Sequence, residues 1–150
     1  MKTIAYFSSL EDCSEKDRAT IFRLAEDMPE IEARKPMEGL ILGNVFFKSN
    51  EWVRLGLASA FIRLGGRVQS IHAGPSSGLA LGESLEDCIQ SIGACCDVLA
   101  VCHDDSNAVR LAGLKSRVPI VQVDEKIDDL KTYMAIFLFI TQFDYAEVTR

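Results

Sequence analysis

The segment Ser49-Asn50-Glu51-Trp52-Val53-Arg54 brings a hydroxyl, an amide, a carboxylate, an indole and a guanidinium into one short stretch. It follows the apolar run Leu40 to Phe47 and opens a stretch of helical character that stops at Gly65-Gly66. A strand that passes through a short polar turn into a helix aims the N–H groups of the helix's first turn at the C-terminal edge of a sheet. That is a ready anion site. Asn50 and Arg54 suit such a site. Glu51 opposes it, because a carboxylate stands where an anion needs a hydroxyl, an amide or a guanidinium.

The elements that must position this turn follow from periodicity and caps. Ser14 with Asp17 three residues on, and Ile21, Leu24, Ala25 and Met28 at helical spacing, predict an amphipathic helix over 14–28. Pro29 and Pro36 bracket a loop. A strand over 40–47, a helix over 50–64 and a strand over 67–71 come next. The Gly-, Pro- and Ser-rich segment Ala73 to Gly82 is long enough for a binding or flexible loop. Ser84 with Asp87 starts a helix running to about Cys95, and Val98 to Cys102 is a third strand. Ser106 caps a helix over 108–115, Pro119 to Val123 is a fourth strand, and a last helix covers 127–143. Strands of nearly continuous apolar character, alternating with helices, indicate a parallel sheet covered on both faces. The expected architecture is a single three-layer α/β domain with a four-stranded parallel sheet flanked by helices.

A chain of 150 residues buries a sufficient core as one domain without disulfides or metal. The net charge of -6 and a pI near 4.9 exclude nucleic-acid and anionic-membrane partners, which need a basic face. The five cysteines, Cys13, Cys88, Cys95, Cys96 and Cys102, are odd in number and lie in apolar settings, so they read as reduced, buried thiols of a cytoplasmic protein. The adjacent Cys95-Cys96 pair suits packing better than a disulfide, and no Cys or His spacing matches a zinc site. Met134 to Ile140 is too short to span a bilayer and reads as a buried helix or an interface.

Three passages resemble the N-terminal, carbamoyl-phosphate-binding domain of the aspartate and ornithine carbamoyltransferases. Phe46-Phe47 through Arg54-Leu55 to Arg63-Leu64-Gly65-Gly66 is similar to the family's Phe-Phe-Glu-Pro-Ser-Thr-Arg-Thr-Arg turn and to the Arg-Leu-Gly-Gly that closes the helix. Gly82-Glu83-Ser84-Leu85-Glu86-Asp87 resembles its Gly-Glu-Ser-Leu-Glu-Asp helix start. Asp97 to His103 resembles a strand ending in Arg-His-Pro. The likeness spans residues 10 to 143 and is strongest over 40–123, with the family's second, amino-acid-binding domain expected to be absent.

The resemblance implies residual ligand contacts at Ser49, Asn50, Glu51, Trp52, Val53, Arg54 and His103, and no cofactor. It also exposes a loss of charge. The family turn reads Ser, Thr, Arg, Thr, Arg where this chain has Asn50, Glu51, Trp52, Val53 and Arg54, so only Arg54 persists. Cys102 stands for the strand-end arginine and Leu81 for a loop lysine. The His-Pro-x-Gln motif falls near Asp128 to Lys131. A dianion needs several convergent donors, so this set repels where the family set attracts.

Arg54 therefore reads either as a ligand contact or as a helix residue tied to a neighbouring carboxylate. His103 reads as a carbonyl-polarising group or as a hydrogen-bonded histidine at a strand end. Trp52 is expected to plug the emptied pocket rather than to stack on a ligand. The sheet edge carries Glu51, His72, His103-Asp104-Asp105 and Asp124-Glu125 against Lys48 and Arg54, which suits either a cation or plain solvation. The expected function is a catalytically degenerate carbamoyltransferase-like domain acting by binding or assembly, with no catalytic residue and no metal. The alternative is the carbamoyl-phosphate-binding half of a transferase whose acceptor domain is another chain. Family trimers and the apolar Met134 to Ile140, which calls for a cover, point to a homo-oligomer, trimer first and dimer second.

Overall fold

A computed structural model describes residues 6–72, 84–122 and 129–141. The elements run β1 (Tyr6–Phe7), α1 (Glu15–Glu26), α2 (Met28–Ala33), β2 (Ile41–Phe46), α3 (Glu51–Arg63), β3 (Arg67–His72) and α4 (Leu85–Gly93). Then follow β4 (Val98–Cys102), α5 (Ser106–Gly113), β5 (Ile120–Gln122) and α6 (Leu130–Ile140). The strands form one parallel sheet of order β1-β5-β4-β2-β3. Alternation along each strand divides the core. Leu42, Phe46, Val98, Ala100 and Cys102 face α1, α2, α3 and α6, while Val45, Leu99, Val101 and Ile120 face α4 and α5. The three-layer α/β architecture is as the sequence predicts.

The sheet has five strands rather than four. The additional strand, β1, is two residues long and therefore shows no periodicity. It pairs with β5 through Tyr6↔Ile120 and Phe7↔Val121, and the Tyr6 hydroxyl donates to Gln122 Oε1. The segment between Pro29 and Pro36 is also not all loop. Pro29 lies in the first turn of α2, where the missing N–H leaves no bond unmade. The helix expected over 108–115 begins at Ser106, because the Asp105 carboxylate and not the Ser106 hydroxyl caps it, accepting from Ala108 N at 3.1 Å.

The last helix is shorter than 127–143. It starts at Leu130 behind Asp129, whose carboxylate accepts from Lys131 N at 3.0 Å, and ends before Thr141. Met134 to Ile140 needs no partner to cover it. α6 is central to its own domain, packed on α1, α2, α3 and β5, with every residue from Thr132 to Leu138 buried. A helix apolar all round reads the same from sequence whether it is central or interfacial, and here it is central. The Ala73 to Gly82 loop, Leu81, Val123 and the Asp124-Glu125 pair lie outside the described residues.

The Arg63-Leu64-Gly65-Gly66 motif has a physical basis. Gly66 N–H donates to Phe61 O and Gly65 N–H to Ile62 O, the paired bonds of a Schellman helix end. Gly65 adopts φ +95, a conformation that a side chain strains. A Cβ on Gly66 would overlap the ring of Phe61, which is fully buried. Gly66→Ala is expected to lower stability by about 1–3 kcal/mol through this overpacking. The melting temperature should then fall by roughly 2–4 °C per kcal/mol. A thermal melt unchanged from wild type contradicts this packing account.

Candidate functional site

The connections reverse direction between β2 and β4. β2 leads through α3 to β3 on one side, whereas β4 leads through α5 to β5 on the other, and α3 and α5 cover opposite faces. Open parallel sheets bind ligands at such a switch point, outside the strand C-termini. Register places Phe46 beside His72 on one neighbour and Cys102 on the other. The polar turn at 47–50 and the segment His103-Asp104-Asp105 therefore flank the crevice, as expected of them.

The turn is built from its core contact outward. Val53 is fully buried and roots the first turn of α3 in the core, so its side chain is not available to a ligand. Asn50 is the N-cap, its Oδ1 accepting from Val53 N at 3.4 Å. From beneath, the buried Asn44 of β2 donates Nδ2–H to Arg54 O at 3.1 Å. Its Oδ1 has no hydrogen-bond partner among the described residues. Leaving that oxygen unsatisfied costs about 1–3 kcal/mol. Ser49 is exposed in the turn before α3.

The charged groups are already paired. Arg54 Nη2 donates to Glu51 Oε2 at 2.8 Å, and Arg54 Nη1 donates to His72 Nε2. Lys48 Nζ lies 3.8 Å from Asp104 Oδ1, bridging the two sides of the crevice. His103 makes an edge contact with Phe47 at 5.1 Å between ring centroids, and its Nδ1 accepts from Asp105 N at 2.9 Å. No contact joins Arg54 and His103 among the described residues. One is drawn to β3 and the other to Phe47 on the β4 side. For both, the arrangement is the tied one that the sequence offered as an alternative to ligand contact.

Trp52 does not plug the crevice. It is 68% exposed on the outer face of α3, because Val53 and Leu57 take the inward positions of the same turns. With Leu55, Ala58 and Ser70 it borders an open cavity of about 450 Å³, which Glu51 and Arg54 complete. The sequence reading missed this cavity and the His72 contact. The first signal was available: Trp52, Leu55 and Ile62 lie on one stripe of α3, and all three are exposed.

The cysteines divide by position. Cys88, Cys96 and Cys102 are buried, but Cys95 is exposed beyond the end of α4 and Cys13 is only half-buried, so the expectation of uniformly buried thiols fails. Burial pushes the Cys96 thiol up, helped by Cys95 and Asp97. Among the described residues no three His, Cys, Asp or Glu side chains converge as a metal site, and no helix is long and apolar enough to cross a membrane.

Residues 6–128 match the model of the aspartate/ornithine carbamoyltransferase, carbamoyl-P binding domain. The chain belongs to the aspartate/ornithine carbamoyltransferase family. Within that family it is 31% identical over 121 residues to the aspartate carbamoyltransferase catalytic subunit of Archaeoglobus fulgidus, covering 78% of this chain and 40% of the relative. The Methanocaldococcus jannaschii catalytic subunit is 32% identical over 135 residues, with 87% and 44% covered. A solved structure of the M. jannaschii catalytic subunit superposes with a TM-score of 0.72 at 30% identity, over 97% of this chain and 48% of that one. The Trypanosoma cruzi enzyme in complex with carbamoyl aspartate and phosphate gives a TM-score of 0.70 at 26% identity, over 83% and 41%. The chain thus spans less than half the length of these relatives.

Proposed function

We propose that this domain keeps the scaffold of the carbamoyl-phosphate-binding half but not its transfer chemistry, and acts by binding or assembly. The observation that carries the reading is the Glu51–Arg54 pair at 2.8 Å. The one guanidinium that persists in the turn is neutralised by the residue that replaced a neutral one, and His72 holds its other nitrogen. Trp52 and Cys102 occupy positions where the resemblance places arginines, and Cys102 is buried. Each charge-assisted bond lost is worth about 1.5–3 kcal/mol, so two missing arginines remove roughly 3–6 kcal/mol. That corresponds to about two to four decades of affinity for a dianion. Glu51 adds repulsion to this loss. It also supplies a negative charge to the first turn of α3, where the helix dipole would otherwise attract an external anion.

Assembly as a homo-oligomer, a trimer first, belongs to this reading. The relatives are catalytic subunits, and exposed apolar side chains remain on three helices, Phe22 on α1, Ile62 on α3 and Leu111 on α5. A second reading has one favouring observation: the match covers the carbamoyl-P binding half of the family and less than half of the relatives' length. There the acceptor domain would be supplied separately, and Arg54 would have to leave Glu51 to meet its ligand.

Calorimetry with carbamoyl phosphate in the millimolar range separates the two. No saturable heat is expected. Saturable binding overturns the proposal and favours the second reading. For assembly, light scattering coupled to size exclusion is expected to give three times the 16.6 kDa chain mass. A clean monomer contradicts it.

A further inference from the structure

The open cavity on the outer side of α3 lies apart from the Phe47–His103 contact and is walled by Glu51, Trp52, Arg54, Leu55, Ala58 and Ser70. Its volume of about 450 Å³ is that of a small-molecule site, and a mostly apolar wall with few polar groups is the usual composition of one. We propose that this cavity binds a small organic cation with an apolar body, an alkyl- or arylamine. The ammonium lies between the Glu51 carboxylate and the Trp52 indole, and the body rests on Leu55 and Ala58. The inference rests on the reading above, that the turn has lost its preference for anions.

Three features set the sign of the ligand. Arg54 is the one cation of the wall among the described residues, and its guanidinium is held by Glu51 at 2.8 Å and by His72. An anion would have to break that pair and would then face a carboxylate. An ammonium breaks nothing, because Arg54 bonds Glu51 through Oε2 and leaves Oε1 without a hydrogen bond among the described residues. Trp52, 68% exposed at the cavity wall, offers a face of negative potential to a cation. The net charge of -6 favours approach of the same sign of ligand.

Trp52 is the chain's one tryptophan, so its fluorescence reports on this cavity directly. Benzylamine is expected to change the emission saturably, and benzyl alcohol, of the same shape without the charge, to bind at least about tenfold more weakly. Glu51→Gln, checked for folding by its thermal melt, should weaken benzylamine by about tenfold, as loss of a charge-assisted bond requires. Trp52→Phe, followed by calorimetry, should retain weaker binding. An absence of saturation, equal affinity for the alcohol, or an unaffected Glu51→Gln variant overturns the proposal. Carbamoyl phosphate titrated in the same assay distinguishes the two failures. If neither compound binds, the amine site alone is wrong; if carbamoyl phosphate saturates the signal, the reading of the turn is wrong.

Discussion

The first turn of α3 is fixed from three sides, and the chemistry of the sheet edge depends on that constraint. Val53 enters the core, Asn50 caps the helix, and Asn44 reaches up from β2 to the Arg54 carbonyl. With the backbone held, the directions of Glu51, Trp52 and Arg54 are no longer free. Residues three apart on a helix are neighbours, so Glu51 and Arg54 meet. Trp52, one step round from Val53, must point away from the core. The scaffold therefore dictates what the side chains of this turn do. Here it makes them pair with one another.

Charge pairing repeats across the crevice. Glu51 with Arg54 and Lys48 with Asp104 leave both of these cations beside a carboxylate. Neither pair stabilises the fold much, since Glu51 and Asp104 are 62% and 87% exposed in their side chains. Pairs of that kind are worth about 0–1 kcal/mol. Their consequence is for ligands, because each cation offered to an anion must first be taken from a partner. The Phe47–His103 contact does the same for the imidazole, whose Nδ1 already serves the turn before α5.

Much of the fold is legible in the sequence because it is written locally. Ser14 and Ser84 accept from the N–H three residues on, as the spacing to Asp17 and Asp87 implies. Gly65 and Gly66 end α3 by backbone geometry and by the ring of Phe61. What escapes the sequence depends on distant partners. β1 is two residues whose strand character exists only against β5, and α2 survives a proline because the proline falls in its first turn. The apolar α6 gives no sign of its neighbours, and only the packing of α1, α2 and α3 around it shows that it is covered from within. At the site, the differences from the turn that the resemblance aligns with it are visible along the chain. The contact of Arg54 with His72 is not, since it joins a helix start to the end of the next strand.

The central claim is that the N-terminus of α3 remains as a cradle but no longer receives an anion. Amide chemical shifts of residues 50–54, followed by nuclear magnetic resonance as inorganic phosphate is added, test it at the atoms concerned. The account predicts no saturable change at these amides beyond that caused by equal ionic strength of chloride. A saturable perturbation centred on Glu51 to Val53 would contradict it.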